Sequence, residues 1–213
     1  MEQNPKQIIQ GLASIHRLIV FIFKKLGREL GTIELVKIVY LIDVEFFKFF
    51  GKTLTGLNYI RYEFGPYTRK ISEAVIDLEE KEEKIIKTRL CFSKGHSSIP
   101  KKSHKLEREV KFEPDLLPEE QEIANQLLNK IGNLSVKQLE KLAYETEPMQ
   151  AILGKERKAN VKLNGAELDF SLIKRDEFME KWIANREKDK KNSEYDQFLV
   201  KEKGEFLELT TQI

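Results

Sequence analysis

The 213-residue chain has one cysteine, one tryptophan and three histidines. A single cysteine excludes an internal disulfide framework and every multi-cysteine zinc module, and it fits a reducing compartment. Charge of one sign is also missing: 37 Lys and Arg stand against 35 Asp and Glu, a net of +2. Bulk charge therefore predicts no nucleic-acid partner, and only a local patch could supply one. Long apolar runs are absent. The longest, Leu18 to Phe23, lies between Arg17 and Lys24, far short of the roughly 20 residues that span a bilayer. The first residues lack the basic-then-apolar order of a signal peptide. The expectation is a soluble, cytoplasmic protein without a membrane segment. No Gly-x-Ser-x-Gly elbow, Walker loop, Gly-x-Gly-x-x-Gly or fixed-period repeat occurs.

What is present is a series of segments with helical or strand periodicity, at a charged content of 34% that implies long solvated helix faces. Ile8, Leu12, Ile15, Leu18, Ile19, Ile22 and Leu26 predict a first helix over 8–26. Its second half is apolar nearly all round, the mark of a buried helix. A second helix is predicted over 32–50, with Thr32 as N-cap and Gly51 as its stop. Glu34, Lys37, Glu45 and Lys48 share one polar stripe on it. Asp43 lies about half a turn away, on the side that should face the core. A buried carboxylate needs a cation or several donors. Arg61, Arg69 or the N–H groups around Gly65-Pro66 are the expected partners, and losing such a pair should cost roughly 3 kcal/mol.

Residues 54–64 predict an extended segment, with Ile60, Tyr62 and Phe64 on one face and Arg61 and Glu63 on the other. Gly65-Pro66 ends it, and Thr68 can cap a third helix over 69–82. Ile86 to Phe92 and Leu106 to Phe112 alternate as two strands around a basic loop, 93–104. Pro118 opens a fourth helix, and Ser135 with Gln138 forms the capping box of a fifth that ends near Thr146. Asn164-Gly165 predicts a turn, 171–188 an amphipathic helix, and 197–209 a hairpin or a tail that orders on a partner. The predicted fold class is α+β, predominantly helical, with five to seven helices and a small antiparallel sheet or wing.

Few residues suggest chemistry. Cys91, His96 and His104 flank one loop, but their spacing fits no zinc signature. A half-buried thiol and two loop histidines is the better reading, and no metal or cofactor is expected. His16 reads as a boundary histidine, and Glu119, Glu120 and Glu122 as a response to a helix dipole. No enzymatic activity is predicted. Lys94, Lys101, Lys102 and Lys105 give the outline of a winged helix whose wing could neutralise phosphates. Ordinary solvated lysines explain the same residues, and the near-neutral total charge favours that explanation.

One stretch is more specific. Glu34-Leu-Val-Lys-Ile-Val-Tyr-Leu-Ile-Asp43 is followed by Gly51-Lys-Thr-Leu-Thr-Gly56 and by Tyr59-Ile-Arg-Tyr-Glu-Phe-Gly-Pro66-Tyr-Thr. Together with Leu78 to Lys84 and Leu139-Glu-Lys-Leu-Ala-Tyr…Glu-Pro148, it resembles the Panacea domain family, which includes the SocA-like antitoxins. Tyr62 and Phe64 stand near where many members carry a tryptophan, and Met149 follows the late proline. The resemblance covers about residues 30–150. It implies a domain over 1–154 and a C-terminal extension, 155–213, packing on it or on a partner. It also implies a cytoplasmic, phage-associated type of antitoxin that binds and neutralises a cognate toxin protein in a type II-like module. Operator DNA is a second expected partner, read by residues 93–105. The candidate partner-binding residues are Arg61, Tyr62, Glu63, Tyr67 and Arg69. Lys37, Tyr40, Asp43, Gly56, Gly65 and Pro66 form the structural motif.

Overall fold

The computed structural model describes residues 14–80, 84–91, 101–107 and 116–175. Among them are six helices and two small antiparallel sheets. Helix α1 spans Ser14–Leu26, β1 Leu30–Gly31 and α2 Thr32–Phe50. A hairpin follows, β2 Ile60–Tyr62 and β3 Gly65–Tyr67, then α3 Arg69–Glu80. Strands β4 Ile86–Cys91 and β5 Lys101–Leu106 precede α4 Pro118–Ile131, α5 Val136–Glu145 and α6 Glu147–Ala159. A short 3-10 turn covers Phe170–Leu172. The fold is α+β and predominantly helical, as its periodicities predict.

Helix α2 is the axis of the molecule. Leu35, Ile38, Val39, Tyr40 and Ile42 are wholly buried, and α1, α3, α4 and α5 pack around them. Leu18 to Phe23 of α1 are all buried, so the all-round apolar segment is indeed an internal helix. Gly51 closes α2 at φ 65, donating its N–H to Phe47 O at 2.9 Å. The N-cap is Gly31 rather than Thr32. Thr32 instead directs its hydroxyl at His104 Nε2, 2.8 Å away.

The second sheet element differs from its predicted register. Strand β5 begins at Lys101, inside the segment read as a loop, and pairs with β4 from Leu106 opposite Ile86 to Lys101 opposite Cys91. Its other edge pairs with β1, Leu30 opposite His104. His104 fixes this register. It is buried, and its two ring nitrogens meet the hydroxyls of Thr32 and Thr88 at 2.8 and 3.0 Å. A buried imidazole satisfied on both sides outweighs the apolar alternation further along the chain. The residues predicted as the rest of that strand, 108–112, lie outside the described residues.

Glu147-Pro148 opens α6 rather than only ending the preceding helix. Proline in a first helical turn loses no hydrogen bond. Ser135 and Gln138 cap α5 reciprocally, Ser135 N donating to Gln138 Oε1 at 2.9 Å. Beyond α6 the chain turns at Gly165, φ 87, and runs back along the hairpin. Arg61 N donates to Ala166 O and Gly165 N to Arg61 O, both at 2.7 Å, and Leu168 N to Tyr59 O at 2.9 Å. Leu168 and Ile173 enter the core, and Met1–Lys174 forms one compact unit. The position 154 falls within α6. Of the helix predicted over 171–188, residues 171–172 lie in the 3-10 turn, 173–175 are not helical and 176–188 lie outside the described residues, as do 197–209.

Candidate functional site

Three polar side chains one turn apart on α2 organise the site. Lys37, Tyr40 and Asp43 recur at i, i+3 and i+6, and each ties down a segment distant in sequence. Lys37 Nζ donates to Pro66 O in the hairpin at 2.8 Å. Tyr40 OH meets Thr146 Oγ1 at 2.7 Å, at the junction of α5 and α6. The Thr146 hydroxyl donates in turn to Ala143 O at 2.8 Å, so Tyr40 is the donor to Thr146. Asp43 accepts from Thr55 N at 2.9 Å, from the Thr55 hydroxyl, and from Tyr59 OH at 2.7 Å. A core helix thus carries three polar anchors, each with a fixed partner.

The sequence places Asp43 in the core, and it is fully buried. Its expected cation is not there. Arg61 pairs with Glu156, Arg69 pairs with Glu73, and the Asp43 carboxylate is held by neutral donors of the 51–59 loop. Burial raises its pKa to about 6, against the lowering effect of the Thr55 and Tyr59 hydrogen bonds. The Tyr59 phenol is pushed well above its ordinary value by burial and by the adjacent carboxylate. Burial likewise pushes up the Tyr40 phenol. Tyr40 and Tyr59 pack edge to face at 5.1 Å, with Phe170 against both rings.

The polar stripe of α2 is only half solvated. Glu34 is buried, accepting from Arg28 Nη2 at 2.6 Å and Gly31 N at 3.3 Å. Lys37 is 2% exposed. Burial lowers its pKa to about 8, with nearby Glu140 opposing the shift and nearby Arg61 adding to it. The stripe was the best available sequence marker of a solvent face, but Arg28 pairs with Glu34 and the hairpin covers Lys37.

The hairpin does not keep the predicted alternation: Glu63 is exposed together with Tyr62 and Phe64. Arg61 points inward, while Tyr62 and Phe64 are 46% and 54% exposed. Arg61 Nε donates to Glu156 Oε1 at 3.1 Å, its Nη1 to Tyr62 O and, at 3.3 Å, to Tyr144 OH, and its guanidinium lies 5.5 Å from the Tyr144 ring centroid. For Glu156, burial raises the carboxyl pKa, but the Leu163 N–H and Arg61 outweigh it and hold the carboxyl below its ordinary value. Nε and Nη1 of the guanidinium find acceptors inside, which solvent would otherwise supply. Gly65 makes the turn possible at φ 94. A Cβ there would sit 3.1 Å from Tyr144 Cε2 and 3.4 Å from Lys37 Nζ.

Of the candidate partner-binding residues, Tyr62, Glu63 and Arg69 are exposed, Tyr67 is half-buried and Arg61 is internal. Tyr62 and Tyr67 pack with ring centroids 5.3 Å apart. Phe64, and Ile33 at 42% exposure on the first turn of α2, join them in one apolar patch missed in the sequence. Between them lies a groove of about 210 Å³ that also touches Val36 and Lys37. Glu156, which with Tyr144 partners Arg61, carries no local sequence signal.

Of the lysines of the alternative DNA reading, Lys101 and Lys102 are exposed on β5, Lys105 is half-buried, and Lys94 lies outside the described residues. The order α1–β1–α2–α3–β4–β5, with β1 beside β5, is that of a winged helix with the hairpin inserted before α3. In that arrangement α3 would meet DNA, yet Asp77 and Glu80 lie on its solvent face, and Arg69 and Lys70 are both paired with Glu73. His104 is engaged by two hydroxyls and is not free to hold a metal. No group of carboxylates, histidines or cysteines suited to a metal occurs among the described residues. No helix among them is long and apolar enough to cross a membrane.

The fold and site together define a helical α+β domain that displays an aromatic hairpin on a polar-anchored base. The model of one family, the antitoxin SocA-like Panacea domain, matches residues 35–148. That is just over half of the chain, and the protein belongs to this family. The matched span opens beside the α2 anchors and closes at Pro148, just past Thr146. No curated protein and no solved structure matches the chain. Family membership carries an antitoxin-like role in general terms, with a protein as partner.

Proposed function

We propose that the protein binds and neutralises a cognate toxin protein of a type II-like module, in the cytoplasm and without catalysis. The binding surface is the hairpin 60–67 together with the first turn of α2. One observation carries this reading: Tyr62 and Phe64 stay about half exposed on a hairpin whose base is locked by Arg61, Gly65 and Pro66. Exposed aromatic groups on a rigid support are the usual anchors of protein interfaces, since little conformational entropy is lost when they are covered. Glu63 and Arg69 at its margins suit a polar rim.

The test is co-expression with the small open reading frame beside its gene, in a host that this reading frame alone arrests. The wild-type protein restores growth. Tyr62→Ser/Phe64→Ser, which changes only exposed side chains, abolishes rescue while its thermal unfolding stays within about 1 kcal/mol of wild type. Full rescue by that folded double variant overturns the assignment of the surface. Lack of toxicity in the neighbouring product overturns the module.

A further inference from the structure

Lys37 stands out among the described polar groups. It is 2% exposed, it lies at the inner end of the groove between Ile33, Val36, Tyr62, Phe64 and Tyr67, and no carboxylate pairs with it. An ammonium has three N–H donors. Only Pro66 O accepts from this one, at 2.8 Å. The other nearby cation, Arg61, is neutralised by Glu156, whereas Glu140 acts on Lys37 only from a distance. A desolvated cation with spare donors is costly when left unpaired, and an anion brought to it in an apolar setting gains more than it would in water.

The groove has the complementary shape. Its volume of about 210 Å³ is below the roughly 300 Å³ at the lower end of small-molecule sites, and it suits one side chain of a protein partner. Its walls are mostly aromatic and aliphatic.

We propose that the groove receives an aromatic or large apolar side chain of the partner, with an adjacent partner carboxylate pairing to the Lys37 ammonium. This rests on the toxin-binding reading of the hairpin and specifies the chemistry of what binds there. Val36 and Ile33 form one wall, Tyr62 and Phe64 the lip, and Lys37 selects a segment with a negative charge beside its apolar anchor.

The experiment is a two-dimensional NMR titration of the full-length protein with N-acetyl-L-phenylalanine and, separately, with its neutral amide. The acid shifts the resonances of residues 32–37 and 62–67 saturably at millimolar concentrations. The amide binds about tenfold more weakly, the worth of one charge-assisted hydrogen bond. Folded Lys37→Met protein no longer distinguishes the two. Equal affinity of acid and amide for the wild type overturns the proposal, and so does the absence of shifts at these residues with either probe. The wild-type comparison stands even if Lys37→Met fails to fold. Loss of growth rescue in the Tyr62/Phe64 double variant, with no acid preference in the titration, would retain the binding surface and reject the carboxylate.

Discussion

At the scale of single residues, the molecule depends on polar groups inside its core that are satisfied by neutral donors. Asp43 is the clearest. Its carboxyl pKa is raised by burial to about 6 from an ordinary 3.8, so the folded state holds the proton more tightly than the unfolded chain. The resulting stabilisation is full below the ordinary value and disappears as pH rises through about 6. Asp43→Asn removes this dependence. The difference in unfolding midpoint, wild type minus variant, should therefore fall between about pH 4 and pH 6 and level off above; a constant difference would contradict it. Gly65 is constrained twice, by φ 94 and by the approach of Tyr144. Gly65→Ala should cost about 2 kcal/mol in denaturant unfolding. Arg61 and Arg69, eight positions apart, behave oppositely. Arg61→Ala strands a largely buried Glu156 and should cost about 3 kcal/mol. Arg69→Ala breaks an exposed pair with Glu73 and should change stability by less than about 0.5 kcal/mol.

At the scale of elements, legibility followed periodicity. Helices α2, α4 and α5 lie close to their predicted bounds, because apolar spacing, Gly51, Pro118 and the Ser135–Gln138 box are all local signals. The extended segment was legible but its pairing as a hairpin across Gly65-Pro66 was not. The partners of Arg61 were hidden because its acceptors, Glu156 and Tyr144, lie 95 and 83 positions along the chain. Asp43 was recognisable as buried from helical geometry alone, and its true partners, Thr55 and Tyr59, lie in the family-like motif segments, but nothing local there says that they donate to Asp43. Strand β5 was displaced because His104 reads as polar, and only its contacts with Thr32 and Thr88 make it a core residue. Of the return segment after α6 only the Asn164-Gly165 turn was readable, because the strand-like pairing beside Tyr59–Arg61 covers only a few residues. Its contribution can be measured. Leu168 is 7% exposed, and Leu168→Ala should lower unfolding stability by about 2 to 3 kcal/mol. A change near zero would mean that the return segment rests on the domain without supporting it.

At the scale of the whole molecule, the elements follow a winged-helix order with a hairpin inserted between α2 and α3. The solvent face of α3 carries Asp77 and Glu80, its two cations are paired with Glu73, and the net charge is only +2. Among the described residues, the exposed aromatic groups Tyr62 and Phe64 lie on the hairpin between α2 and α3. The α2 anchors explain why an insertion of this kind can be a recognition surface: Lys37 holds the hairpin, Asp43 holds the loop that leads into it, and Tyr40 holds the helix junction beside it. The hairpin is thereby fixed on a deeply buried helix. The decisive measurement is amide hydrogen exchange of the protein alone and in complex with the proposed toxin partner. Slowed exchange concentrated in residues 32–37 and 60–67 is the predicted result. Unchanged exchange there, with slowing along 69–80 or across β4 and β5, would contradict it.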